Sequence, residues 1–88
     1  MTCIFCDHKG EFIEQGFKII KDIRPQAKTH YLLVPIEHSQ TPDENLWNRV
    51  FPVITKLVKK FNLSSYQIKV NINPPYQQVP HVHFHLIS

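Results

Sequence analysis

Long apolar runs, clusters of basic residues and internal repeats are all missing from this sequence, and each absence removes a class of function. No stretch approaches the roughly 20 consecutive apolar residues of a membrane-spanning helix. The opening MTCIFCDHKG has neither the basic start nor the apolar run of a secretory leader, so the expected location is cytoplasmic and no membrane partner is expected. Ten Lys and Arg face seven Asp and Glu, a net charge of only +3, and no Lys/Arg run marks a groove for nucleic acid. That balance is compatible with a small anionic ligand. No linker or low-complexity segment divides the chain, so residues 1–88 are read as one domain. A domain of this size gains a narrow margin of stability from burial alone, which a metal ion or a second copy of the chain would widen.

Cysteine is scarce as well. Cys3 and Cys6 are the only two, separated by two residues. In a reducing compartment that CxxC spacing reads as metal binding or redox chemistry before structural disulfide. A thioredoxin-like motif stands at a helix start after a strand, and nothing before Cys3 could be that strand, which favours a zinc knuckle.

The signals that are present read as four strands and one helical segment. Phe17 to Ile23 suits a strand, Arg24-Pro25-Gln26-Ala27 a turn, and Thr29 to Pro35 a second, more apolar and more central strand paired with the first. Thr41-Pro42-Asp43-Glu44 reads as a helix opening, with an N-cap residue, proline at the first helical position and two acids near the positive end of the dipole. Leu46, Trp47, Val50, Phe51, Ile54, Leu57, Val58 and Phe61 follow at helical spacing. Pro52 interrupts that run, which predicts a kink or break near Phe51 and a second helical stretch to about Lys60. Tyr66 to Asn71 is a third strand, Asn73-Pro74-Pro75-Tyr76 a turn, and His81 to Ile87 the final strand. Without βαβ alternation, the expected class is α+β: an antiparallel sheet of about four to five strands with one kinked or broken helical segment.

The final segment, His81-Val82-His83-Phe84-His85-Leu86-Ile87, is the most informative. As a strand it has a histidine face and a buried face of Val82, Phe84 and Leu86, whereas a helix would scatter the histidines. Neighbours at i and i+2 stand roughly 6.6 Å apart along a strand, so His81 and His85 begin about 13 Å apart and one ion cannot comfortably take all three. Two could share an ion, or the three could divide metal binding and chemistry. A tetrahedral zinc on Cys3 and Cys6 needs two further donors. His38 and one strand histidine are the attractive choices, and His8, two residues after Cys6, is a local competitor. A second site needs an imidazole that can attack electrophilic phosphorus or take a proton, its other ring nitrogen held by a hydrogen bond. His83, flanked by His81 and His85, has the neighbours for this role.

The pattern His-apolar-His-apolar-His-apolar-apolar resembles the histidine triad of the HIT superfamily of nucleotide hydrolases and transferases. Other stretches agree in order. Cys3-Ile4-Phe5-Cys6 resembles the opening of the zinc-containing bacterial members, Asp22 to His30 resembles the family's DI-P-A-TH segment, and Leu33 to His38 resembles the strand end and histidine that follow. The resemblance implies a single HIT-like domain with an N-terminal zinc knuckle, a structural zinc on Cys3, Cys6, His38 and His81, and a homodimer. It demotes His8. It implies His83 as the nucleophile that attacks the α-phosphorus of a nucleotide derivative to give a nucleotidyl-histidine, which water hydrolyses. His85, His30, Asn71 and Gln77 match positions near the phosphate, and Asp22 matches a residue that contacts ribose hydroxyls. Ile20 and Ile23 match positions against the base. The implied substrates are purine nucleoside phosphoramidates or related nucleotidyl compounds.

Two departures accompany the resemblance. Pro74, Pro75 and Tyr76 stand where the family loop commonly carries glycines, and proline removes a backbone N–H that could meet phosphate. This motivates an alternative, a catalytically weak or inactive nucleotide-binding or zinc-stabilised interaction module. The region between Cys6 and Asp22 is shorter than usual, which predicts an abbreviated edge strand. A third reading is a catalytic metal hydrolase with an ion on His81 and His83.

Overall fold

Period-two alternation in the strands and a period near 3.6 in the long helix turn apolar side chains toward a shared layer, which is the requirement for a two-layer α+β domain. The computed structural model describes residues 4–88. In chain order the elements are α1 (Ile4–Asp7), β1 (Phe12–Glu14), β2 (Phe17–Lys21), β3 (His30–Pro35), α2 (Glu44–Lys60), β4 (Gln67–Val70) and β5 (Phe84–Ile87). The five strands form one sheet in the order β1-β2-β3-β5-β4, with every neighbouring pair antiparallel. This is the expected class and sheet type.

The edge strand is three residues long and joins β2 through Gln15 and Gly16, whose φ angles of 49° and 87° suit the tight hairpin turns that match strand twist. β2 stops at Lys21, short of the expected Ile23, because the Asp22 carboxylate accepts the Arg24 N–H at 2.8 Å and turns the chain. The final strand begins at Phe84 instead of His81. Its neighbour β4 ends at Val70, and upstream of Phe84 the Val82 N–H instead donates to the Ser39 carbonyl at 2.7 Å.

The helix corrects two expectations. Its N-cap is Asp43, whose carboxylate accepts the Leu46 N–H at 2.8 Å, two residues later than Thr41. It also runs through Pro52 as one element to Lys60. A proline in a helix interior costs about 3 kcal/mol. Burying Leu46, Val50, Val53, Ile54 and Leu57 against the sheet outweighs that, at ~1.5 kcal/mol or more per side chain. Val53 takes the core place that the sequence reading gave to Phe51, which is 60% exposed. Asn62, with φ of 55°, closes the helix: its N–H donates to the Lys59 carbonyl and that of Leu63 to the Val58 carbonyl.

The main core joins that helix stripe to Phe17, Ile19, Leu33, Phe84 and Leu86 on one face of the sheet, together with Val82. Val82, Phe84 and Leu86 are buried as the alternation predicts. On the other face, Ile20, Leu32 and Val34 pack with Phe5 from α1. Lys18 fastens α1 there by donating to the carbonyls of Phe5 and Cys6 at 2.8 and 3.0 Å. Both clusters of histidines lie on this second side.

Candidate active site

The first cluster forms where α1, the chain after β3 and the entry to β5 converge. Cys6 Sγ lies 3.2 Å from His38 Nδ1 and 3.6 Å from His81 Nδ1. The ligating atoms of these three residues all lie within 4.8 Å of one another. A zinc ion holding one thiolate and one imidazole tetrahedrally sets their S···N distance near ~3.5 Å, so the spacing fits that ion. His81 is fully buried, and its Nε2–H donates to the Pro35 carbonyl at 2.9 Å, which turns Nδ1 toward Cys6. Burial, opposed by that hydrogen bond and reinforced by nearby His38, lowers the His81 pKa and favours the neutral ring a metal requires. Cys3, the fourth expected ligand, lies outside the described residues. His8 is not in the cluster; its Nδ1 accepts the Gly10 N–H at 2.9 Å and its side chain lines the neighbouring cavity.

The second cluster lies beside a cavity of about 490 Å³ bordered by β2, β3, β4, β5, α1 and the loop before β5. His83 Nδ1–H donates to the His81 carbonyl at 2.9 Å, which leaves Nε2 as the lone-pair atom of a ring that lines the cavity. The ring is held edge-on by Phe5, centroids 4.9 Å apart, and is only 7% exposed, so the expected open strand face is in fact a packed one. His30 accepts the Gln26 N–H at Nδ1 (3.0 Å), so its proton is on Nε2. That N–H points at His85 Nδ1 (2.9 Å) and Asp22 Oδ2 (3.2 Å). With Nδ1 of His85 accepting, its Nε2 carries the proton, and this atom is buried with no hydrogen-bond partner among the described residues. Burial, then the neighbouring His83 and His30, push the His85 pKa down to about 4. The cavity wall therefore offers a neutral N–H donor beside a lone-pair nitrogen. A phosphoryl group can accept from the first while the second approaches its phosphorus.

Asp22, His30 and His85 also have ligating atoms within 4.8 Å of one another, yet hydrogen bonds to one another and to Arg24 and Gln26 already engage them. The reading with one catalytic ion on His81 and His83 is not what the structure assembles: His81 Nδ1 turns to Cys6 and His38, while His83 belongs to the cavity.

Asn71 lines the cavity. Gln77 does not: it is 5% exposed, its amide donates to the Gln40 carbonyl at 2.7 Å, and Gln78 is the glutamine on the cavity wall. The two alternate along the loop, and the one whose amide meets the Gln40 carbonyl turns inward. Ile20 and Ile23 both line the cavity, at the end where Asp22 sits. Tyr76, from the loop already singled out, also lines it, as does Lys69, which escaped the sequence reading. For Lys69 a signal existed, since it sits two residues before Asn71 and therefore on the same face of its strand.

The sequence profile of the HIT domain matches residues 12–88. An adenosine 5′-monophosphoramidase of Saccharomyces cerevisiae is 36% identical, over a match covering 98% of this chain and 61% of the yeast protein. This chain thus spans about three-fifths of that relative's length. An adenosine 5′-monophosphoramidase of Schizosaccharomyces pombe is 32% identical, covering 99% of this chain and 74% of its own. The crystal structure of a HIT family hydrolase from Legionella pneumophila has a TM-score of 0.86 to this fold at 30% identity, covering 99% of this chain and 92% of that one.

Proposed function

The chain belongs to the HIT domain family, and we propose that it is a nucleotide hydrolase cleaving purine nucleoside phosphoramidates or related nucleotidyl compounds through a nucleotidyl-histidine intermediate. The observation that carries this reading is the pairing of His83, whose Nδ1 is committed to the His81 carbonyl, with the unpartnered, buried His85 Nε2 beside it. His83 Nε2 attacks the α-phosphorus, forming a P–N bond while the bond to the leaving group breaks. The leaving atom keeps the electron pair, and an amine departs after taking a proton from solvent water, a proton that the attacking water of the next step returns. Water then attacks the same phosphorus, releasing the nucleoside monophosphate and restoring His83. His85 Nε2–H stabilises charge on the phosphoryl oxygens, with His30 and Asp22 behind it as positioning residues. Asp22 takes the ribose hydroxyls, and Ile20 and Ile23 lie against the base. Asn71 faces the phosphate end.

Zinc in this reading is structural, held by Cys6, His38 and His81 with Cys3 as fourth ligand, and no step passes through it. The chain acts as a homodimer. β4 is one of the two outer strands of the sheet, with Ile68 38% exposed, an edge that a second copy can cover, and light scattering of the purified protein tests this.

The test of activity is release of AMP from an adenosine 5′-phosphoramidate bearing a reporter amine, by the wild type and His83→Ala in parallel. Turnover in the wild type that disappears in the variant is expected. A variant with a near wild-type rate excludes the mechanism. Nucleotide binding without turnover in either protein would favour the binding-module reading, for which the Pro74-Pro75-Tyr76 loop is the motive.

A further inference from the structure

The sheet register arranges the cavity floor in a row. Ile20 on β2 stands opposite Leu32 on β3, Leu32 opposite His85 on β5, and His85 opposite Lys69 on β4. Adjacent strands are about 4.8 Å apart, so Lys69 starts one strand spacing from His85 on the side away from Ile20. The two ends of the row differ in chemistry. At the β2 end are Ile20, Ile23 and Asp22, which suit a base and a ribose. At the β4 end, past the two reactive histidines, are Lys69 and Asn71. A nucleotide laid along the row with its α-phosphorus at His83 directs its leaving group toward the Lys69 ammonium.

We propose that Lys69 is a specificity-determining residue, selecting nucleotidyl substrates whose leaving group is an oxyanion, such as a phosphate or sulfate, over those that release an uncharged amine. The inference rests on the activity proposed above and narrows it to one chemical class. In the step concerned, the P–O bond to the leaving group breaks as His83 Nε2 bonds to phosphorus. The departing oxygen keeps the electron pair, and the ammonium offsets the charge that accumulates there. Such a leaving group needs no proton. That accords with His85, whose neutral imidazole N–H is a hydrogen-bond donor and a poor acid, kept so in part by Lys69 itself.

The experiment compares kcat/KM for adenosine 5′-phosphosulfate and for an adenosine 5′-phosphoramidate of an uncharged aryl amine, in the wild type, Lys69→Met, Lys69→Arg and Lys21→Met. Lys21 also lines the cavity, at the Asp22 end, so its variant removes an equal charge from the wrong place. The ratio of the two constants is expected to fall about fivefold to tenfold in Lys69→Met, the size of one partly solvated charge. It should be restored in Lys69→Arg and change less than twofold in Lys21→Met. An unchanged ratio in Lys69→Met, or an equal fall in Lys21→Met, overturns the assignment. If the wild type turns over neither compound, the hydrolase reading fails, and calorimetric binding of AMP and adenosine 5′-(α,β-methylene)diphosphate decides the role of Lys69 on its own. A preference for the diphosphate that Lys69→Met abolishes supports the role. Absence of that preference, or its survival in the variant, refutes it.

Discussion

The two histidine clusters share one short segment of chain, His81 to His85, yet its rings differ in which nitrogen is left available. His81 commits Nε2 to the Pro35 carbonyl and presents Nδ1 to Cys6 and His38. His83 commits Nδ1 to the His81 carbonyl and presents Nε2 to the cavity, and His85 commits Nδ1 to His30. Backbone and neighbouring imidazoles thus engage a different ring nitrogen in otherwise identical side chains, and the three roles proposed above follow from that difference. The lesson is that the hydrogen bond on the far nitrogen, more than the spacing of the histidines, fixes which nitrogen of each ring stays available for chemistry.

The sharpest way to break this contrast is to remove one member of each cluster. His83→Ala is expected to lose at least ~10³-fold in turnover, as loss of a nucleophile does, while keeping the wild-type zinc content by elemental assay. Cys6→Ser is expected to do the reverse: zinc below stoichiometry by elemental assay and a melting temperature lower by ~10 °C or more, because losing several kcal/mol is a large change for so small a fold. If both variants lose metal and activity alike, the clusters are one site and the division of roles is wrong.

Much of the division was legible in the sequence. The alternation of Val82, Phe84 and Leu86 with the histidines predicted which side chains are buried, and the pairing of β2 with β3 and the α+β class followed from local pattern. What stayed hidden depended on partners distant in sequence. The chain at His81 to His83 lies outside the sheet, and the Val82 N–H bonds to the Ser39 carbonyl instead. Pro52 looked like a break because its local cost is visible in sequence while the burial that offsets it is not. Gln77 and Gln78 are chemically identical, and only the position of Gln40 distinguishes the one turned inward.

A smaller effect, on pH, sharpens the contrast from the cavity side. His85 is held near 4 by burial and by His83 and His30, below its ordinary value of 6.5. Between those pH values the unfolded chain binds the proton more readily than the folded one. This contribution to stability is therefore full above about pH 6.5 and lost as pH falls toward 4. The melting temperature of the wild type is expected to decline across that window more steeply than that of His85→Asn, which cannot titrate. Parallel curves would show that His85 is not the group coupled to folding. Zinc ligands also take up protons in acid, so the difference between the two proteins is the informative quantity.

The smallest effect concerns Asp22, which sits at the seam between positioning and recognition. Its Oδ1 accepts the Arg24 N–H and its Oδ2 lies 3.2 Å from His30 Nε2, so removing the carboxylate loosens the support of His85 as well as any contact with substrate. A simple loss of activity in Asp22→Ala would not separate these two roles. The ratio of binding constants for AMP and 2′-deoxy-AMP does, since the support of His85 acts on both ligands equally whereas a bond to the 2′-hydroxyl exists in only one. That ratio is expected to shrink by ~5-fold to ~10-fold in Asp22→Ala, the worth of one hydrogen bond to a charged acceptor. Equal weakening of both nucleotides would leave Asp22 as a positioning residue alone, and the ribose would then have to be recognised elsewhere in the cavity.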